Sequence, residues 1–529
     1  MKSKTTSTIL KGAVILSVTS LLVKILSAFY RIPFQNMVGN EGFYVYQQVY
    51  PIYGIAMTLA LSGVPVFISR VIAEYDEPAE RIMVARRLFS ILLVVAWGLF
   101  AGLQLFAPQL ASVMGDGGLT AEIRAATWLF VLVPFLAVSR GYFQGQLDMV
   151  PTSQSQLAEQ VVRVGVILFA AYYGMQKGWS VYQIGTLAMF SATIAGLMAI
   201  LILWRRFLPV MFMKVSRQHL ISSMQLLKRL ASEGLLICLV AAVLVLLQLV
   251  DSLTVVDGLR QFGLSFDAAK NVKGIYDRAQ TLVQLGLVFS VALSTTLLPG
   301  LVATIQKGEH QRFQYLNRLF QKLNFALALT ISIGLISVLS EMNTFLFGDA
   351  KLPIAISLYL LNVWLMALIT MKNSILQSLN QQRRVAVAVI SGLVIKSLLN
   401  SVAVAQFGVI GAAVMTNLAL VCMLFVMYGG EVKHIVANTA NWWFVGKLVV
   451  ALVGMVGGVL IAKHTTMVLC HFTTFSRGQA LVLVAVESLV GAFVFVGLSI
   501  WLKLFTKTEL QTIPYLSTWL EKYRPHGGK

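Results

Sequence analysis

The chain has 529 residues, 58% of them hydrophobic and 12% charged, with a mean hydropathy of +0.80 and a formal charge of +20. A water-soluble domain needs far more polar surface than this, so composition excludes one and indicates an all-α polytopic membrane protein, in which each helix satisfies its own backbone hydrogen bonds. The positive charge does not point to nucleic acid, because excess Lys and Arg is what the cytoplasmic loops of such proteins carry.

In chain order, the apolar runs give about 14 transmembrane helices of about 20 residues each. They lie near 12–34, 50–73, 87–107, 124–144, 157–175, 182–204, 231–255, 276–303, 320–340, 352–371, 384–403, 408–429, 443–462 and 479–502. Lys2, Lys4 and Lys11 before the first run resemble a signal peptide only superficially. The run reaches Arg31 without a small-residue cleavage pattern, so it reads as a retained helix. Placing the N-terminus inside puts most Lys and Arg in cytoplasmic segments, and an even number of spans then puts the C-terminus inside as well. The longest basic connector, 205–230, separates an N-terminal six-helix lobe (1–204) from a C-terminal six-helix lobe (231–430). Two additional helices and a cytoplasmic tail follow at 431–529. Leu220, Ile221, Met224 and Leu227 give the connector helical spacing, which suits either a surface-lying helix or a solvated tether. A faint repeat relates 50–74 to the stretch from Tyr276, each reaching Ser before Pro (Ser62 and Pro65; Ser294 and Pro299).

Catalytic motifs are missing. There is no GxxxxGK[ST] loop for ATP, no HExxH, no CxxC and no GxSxG. Cys238 and Cys422 lie in apolar runs and Cys470 in a loop, which makes neither a disulfide framework nor a zinc site. The expectation is a transporter without a cofactor or metal, with channel and scaffold roles as the other classes.

The informative residues are the charges inside spans, which are expensive in lipid and so face protein or water. Lys24 and Arg31 are seven apart and share a face, suited to a pyrophosphate or carboxylate, although Arg31 could also snorkel to the interface. The segment GNEGFYVYQQVYPIY follows. Gly39 and Gly42 permit tight turns, Glu41 is its one acid, and Tyr44, Tyr46, Tyr50 and Tyr53 suit an interfacial belt or sugar stacking. Glu159 and Arg163 are spaced for an i,i+4 ion pair. Asp251, Lys396 and Asn400 lie in the seventh and eleventh spans, and a buried Asp251–Lys396 pair would account for both charges. Asp277 and Arg278 are adjacent and so face different ways: Asp277 suits a helix N-terminus, leaving Arg278 for the cavity. Glu487, in the last span, has no evident partner.

The stretches KILSAFYRIPF (24–34), GNEGFYVYQQVYPIY (39–53) and RGYFQGQLDMVPTSQSQLAEQVVRV (140–164) resemble the SpoVB/YtgP group of polysaccharide exporters. That group lies in the multidrug/oligosaccharidyl-lipid/polysaccharide superfamily and includes MurJ-type lipid II flippases. The resemblance implies two six-helix lobes in a V, two further helices with a groove for a lipid tail, and alternating access. Cavity arginines of the first and eighth helices correspond to Arg31 and Arg278, with Lys24 where another arginine is usual. An arginine early in the second helix has no counterpart between Pro51 and Leu59. Some members hold sodium with acids of the seventh and eleventh helices. Asp251 matches the first, but Lys396 stands in the eleventh, where its ammonium could take the ion's place.

The function expected from the resemblance is a flippase for undecaprenyl-pyrophosphate-linked lipid II in a bacterial cytoplasmic membrane, serving peptidoglycan synthesis and cell shape. Its head group would be bound by Lys24, Arg31, Arg278 and Glu41. Expected partners are the lipid-linked oligosaccharide, the bilayer and cell-wall synthesis proteins. Expected coupling is to the membrane potential, sodium or protons. The alternatives are another lipid-linked saccharide unit or multidrug-type cation antiport. An antiporter cavity should be acidic, whereas the candidates here are mainly basic.

Overall fold

A computed structural model describes residues 16, 18–214, 222–288, 304, 308–379, 381–429, 442–470, 476–506 and 509. Among them the secondary structure is helical throughout, with short turns between. Eleven helices are long and apolar enough to cross a bilayer, or twelve if Ser223–Ala241 and Val243–Gln261, which meet at 72°, form one broken span. The expected count of about 14 differs for two reasons. Two expected spans are contained in the single stretch Val18–Ala73. The eighth, 276–303, lies largely outside the described residues, as do Ser294 and Pro299 of the repeat, residues 215–221 of the connector and the tail beyond 509.

The first helix α1 (18–29) runs almost unbroken into α2 (Arg31–Leu61), because Tyr30 keeps helical angles of φ −62° and ψ −26°. At 1.5 Å per residue, the 56 residues of Val18–Ala73 would measure about 84 Å if straight, more than twice an apolar bilayer core. The break comes at Gly39, with φ 72° and ψ −173°, a conformation open essentially to glycine alone. A second interruption, at Ser62 and Gly63, precedes α3 (Val64–Ala73), which has Pro65 in its first turn.

The following helices are α4 (Pro78–Leu105), α5 (Ala107–Val113), α6 (Thr120–Gly145), α7 (Val150–Gln176) and α8 (Val181–Phe212). Next come α9 (Ser223–Arg229), α10 (Leu235–Ala241), α11 (Val243–Gln261), α12 (Phe266–Tyr276) and α13 (278–288). The last are α14 (His310–Ser337), α15 (Leu339–Phe347), α16 (Pro353–Ser378), α17 (Gln382–Phe407), α18 (Val409–Met427), α19 (Trp442–Leu469) and α20 (Arg477–Trp501). Ser180–Gln183, Ser222–Gln225 and Ser476–Gln479 make reciprocal capping boxes that start α8, α9 and α20.

The chain divides into two compact units. The first comprises 1–281 with 382–419, the second 282–381 with 420–529. In the first, α11 packs on α17 and α6 lies among α2, α3, α4 and α8. Its core includes Phe34, Phe43, Phe67, Leu88, Leu129 and Phe207. In the second, α14 packs on α16 and α19 on α20 around Phe444, Leu448, Met455 and Phe495. Both units expose large apolar side chains, such as Val94 and Leu398 in the first and Phe493 and Ile500 in the second, as lipid-facing helices do. The first unit also holds an apolar cavity of about 420 Å³ lined by Ile55, Leu92, Phe130, Leu230, Cys238 and Leu246 among others. It offers nothing to a charged ligand.

Gly39→Ala should lower the melting temperature measured in detergent, since it forces a side chain into that backbone conformation at a cost of about 1–3 kcal/mol. Gly98→Ala, inside α4 and with open space around the new methyl, should leave it unchanged or raise it.

Candidate functional site

The interior of the first unit contains fully buried charges, among them Arg31, Arg140, Lys273, Asp277, Arg278, Asp251 and Lys396. A charge removed from water is tolerated only when a partner and hydrogen bonds replace its hydration. The partners here come from neighbouring helices and fall into four groups.

The first group surrounds α2. The guanidinium of Arg31 lies 4.5 Å from the ring centre of Tyr50. Arg163 reaches across from α7 over Tyr30 (5.7 Å) and Tyr53 (5.1 Å), donating to the Tyr53 hydroxyl, Gln160 Oε1 and, at 3.2 Å, Ser27 Oγ. The hydroxyls of Tyr30 and Tyr46 are 2.7 Å apart. Ring faces and phenol oxygens thus solvate two cations inside the bundle. Tyr44, Tyr46 and Tyr53 are buried, so the tyrosines do not form an interfacial belt. Tyr44 instead joins Tyr182 in donating to Asp116, at 3.3 and 2.8 Å. Lys24 is exposed while Arg31 is buried, so the two do not share one environment.

The second group corrects the expected Glu159–Arg163 pair. Glu159 accepts from Arg140 of α6 at 2.6 Å, and Arg140 also donates to Ser155 Oγ and the Ala60 carbonyl, both at 3.1 Å. Four residues advance about 40° beyond a full helical turn. Glu159 meets α6, while Arg163 meets the tyrosines of α1 and α2. Helical spacing permitted the pair, and a better-placed arginine on another helix took the acid.

The third group joins α12 and α13 to α2. Lys270 binds Glu41 at 2.6 Å and Asp267 at 3.0 Å. Burial alone would lower the Lys270 ammonium, but the Glu41 and Asp267 carboxylates hold it above the usual lysine value. Asn40 donates to Asn271 at 3.3 Å and accepts from Arg278 at 2.6 Å, and Gln47 donates to Gln280 at 2.9 Å. Gly274 lets these elements touch, since a Cβ there would stand 2.1 Å from the Asn40 carbonyl oxygen. Asp277 and Arg278 do face different ways. Asp277 accepts from Lys273 with both oxygens, at 2.6 and 2.7 Å, and from Gln280 at 3.4 Å. Lys273 was not singled out in the sequence, although its i,i+4 spacing to Asp277 is a legible signal.

The fourth group brings Asp251, Lys396 and Asn400 together. Lys396 Nζ lies 2.7 Å from Asp251 Oδ2, 2.8 Å from Thr416 Oγ1 and 3.0 Å from the Leu247 carbonyl. Asn400 donates to Asp251 Oδ1 at 3.1 Å and to Thr254 Oγ1 at 2.7 Å. The ammonium already occupies the oxygen cage, so these residues do not fit a sodium ion at this place. Among the described residues no three His, Cys, Asp or Glu side chains gather as metal ligands.

Membrane-length helices with charges buried and paired between them define a polytopic membrane protein, and the relatives that follow make it a transporter. The chain belongs to the polysaccharide biosynthesis protein family, whose model matches residues 9–305. It is 32% identical to "Uncharacterized membrane protein YabM" of Bacillus subtilis (strain 168), over 98% of each chain. It is 26% identical to "Lipid II flippase MurJ" of the same organism, over 92% of this chain and 94% of that one. The fold resembles that of a lipid II flippase MurJ in an inward closed conformation, with a TM-score of 0.68 and 13% identity over 93% of this chain and 99% of that one. It also resembles an inward-facing multidrug resistance MATE family transporter, with a TM-score of 0.61 and 15% identity over 79% and 98%.

Lys396→Met leaves Asp251 buried without its cation and should cost about 3–5 kcal/mol, lowering both the melting temperature and the yield of monodisperse protein. Asp251→Leu combined with Lys396→Met removes both charges and should recover most of that loss in the same assay.

Proposed function

We propose that this transporter is a flippase for an undecaprenyl-pyrophosphate-linked saccharide, most specifically lipid II. It would move the head group from the inner to the outer face of a bacterial cytoplasmic membrane by alternating access, with both termini cytoplasmic. The observation that carries the reading is the near full-length relationship to a protein named as a lipid II flippase. The basic character of the interior around α1, α2 and α13 supports it, because a pyrophosphate requires cations.

In this reading the polyprenyl tail stays in the bilayer. Lys24, exposed on α1, meets the anionic head first, and Arg31 and Arg278 serve it deeper in the cavity. The α2–α12–α13 seam acts as the gate, and it lies on the outer side when the N-terminus is inside. Glu41–Lys270, Asn40–Arg278 and Gln47–Gln280 keep it shut, so Arg278 holds the gate as well as serving the substrate. Glu41, paired with Lys270 and partly exposed, belongs to this gate. Outward movement of negative charge is favoured by an inside-negative potential, by about 2.3 kcal/mol per charge per 100 mV. A flippase for another lipid-linked unit is the second reading, favoured by the higher identity to a relative whose name carries no substrate.

In cells with no other lipid II flippase, depletion should abolish labelling of lipid II by a probe confined to the outer face; continued labelling at the normal rate would end the lipid II reading. At normal expression, Arg278→Ala should abolish this exposure and Arg278→Lys should leave part of it. For the gate, Glu41→Cys and Lys270→Cys are introduced after replacing the native cysteines by serine. Joining them with a short bismaleimide should stop transport, and an undiminished rate in the crosslinked protein would refute a gate at this seam.

A further inference from the structure

A separate cluster of titratable groups lies in the second unit. Glu487 of α20 is completely buried, and neither of its carboxylate oxygens has a hydrogen-bond partner. The helices packed on α20 carry Glu341, in the first turn of α15, and Lys463, near the end of α19. Lys463 Nζ lies 2.5 Å from Glu341 Oε1 and is partly exposed. The other Glu341 oxygen, Oε2, is buried and also lacks a partner. Helices α15 and α19 both pack on α20. Arg477, at the start of α20, sits against Gly348 and is about 15 Å along the helix from Glu487. His464, next to Lys463, is exposed.

The cluster therefore contains two carboxyl groups and one ammonium. If both acids were ionised, Lys463 would neutralise one and the other would remain charged in an apolar setting, the costliest arrangement available. One proton removes the excess charge. A protonated Glu487 gains a donor, and Glu341 Oε2, on a helix packed against α20, is a buried acceptor without a partner.

We propose that Glu341 and Glu487 form a single-proton site, held between α15, α19 and α20, with Lys463 as its fixed counter-charge. Its ligand is the proton. Losing it adds a second negative charge beside one ammonium and drives α20 away from α15, so the site sets how the α19–α20 hairpin packs. Neither the lipid II reading nor the α2 gate is needed for this.

The test uses the purified full-length protein in lipid nanodiscs and dicyclohexylcarbodiimide, which modifies protonated carboxyls in apolar surroundings. Labelling is located by peptide mass spectrometry across a pH series. Glu487 should label at low pH, and labelling should fall about tenfold per pH unit above the midpoint. Lys463→Met should move the midpoint to higher pH, because it removes the cation that favours ionisation. Glu341→Gln should move it lower, because it frees Lys463 to pair with Glu487. Glu487→Gln mimics the protonated acid, so its melting temperature should not change with pH over the range in which the native protein loses stability as pH rises. Absence of labelling at every pH, or labelling independent of pH, would overturn the proposal. Protection by sodium chloride but not by choline chloride at constant pH would overturn it in favour of a sodium site.

Discussion

A buried charge must have its hydration replaced, and much of the first unit is arranged to meet that requirement. Arg140 with Glu159, Lys273 with Asp277 and Lys396 with Asp251 each place opposite charges within 2.7 Å, below a few per cent exposure. Arg31 and Arg163 lie over tyrosine rings. Replacing such pairs by apolar residues often costs nothing, so their presence is weak evidence for stability. What the structure shows is which helices they join: Asp251 with Lys396 ties α11 to α17, and Arg140 with Glu159 ties α6 to α7. Apolar surfaces in lipid have little preference for one alignment over another.

The class of fold was legible in the sequence because lipid leaves the backbone few options: long apolar runs must be helices. The span count was less legible. A continuous apolar stretch such as Val18–Ala73 does not announce where a helix bends, and only Gly39 and the Ser62–Gly63 interruption mark it. Among the site residues, Asp251 and Lys396 could be paired in advance because each is a conspicuous charge in an otherwise apolar run. Glu159 and Arg163 could not be assigned, because spacing along one helix carries no information about a competing arginine on the next. The tyrosines of α2 presented the same difficulty. Composition left an interfacial belt or sugar stacking open, and tertiary packing turned Tyr44, Tyr46 and Tyr53 inward.

The relatives include one whose name carries a substrate and one whose name carries none, so membership alone does not set a substrate. The charge inside the first unit adds chemical detail. In its α2 region Arg31 and Arg163 lie over tyrosine rings and Arg278 donates to Asn40.

Lys396 has a consequence for energetics. A dissociable cation can run down a gradient because it leaves on the other side, and each departure delivers work. The ammonium of Lys396 is covalently tethered to α17 and cannot leave, so this cage carries no metal cation from one side to the other. What would be a socket for a passing metal ion is here a bolt between helices.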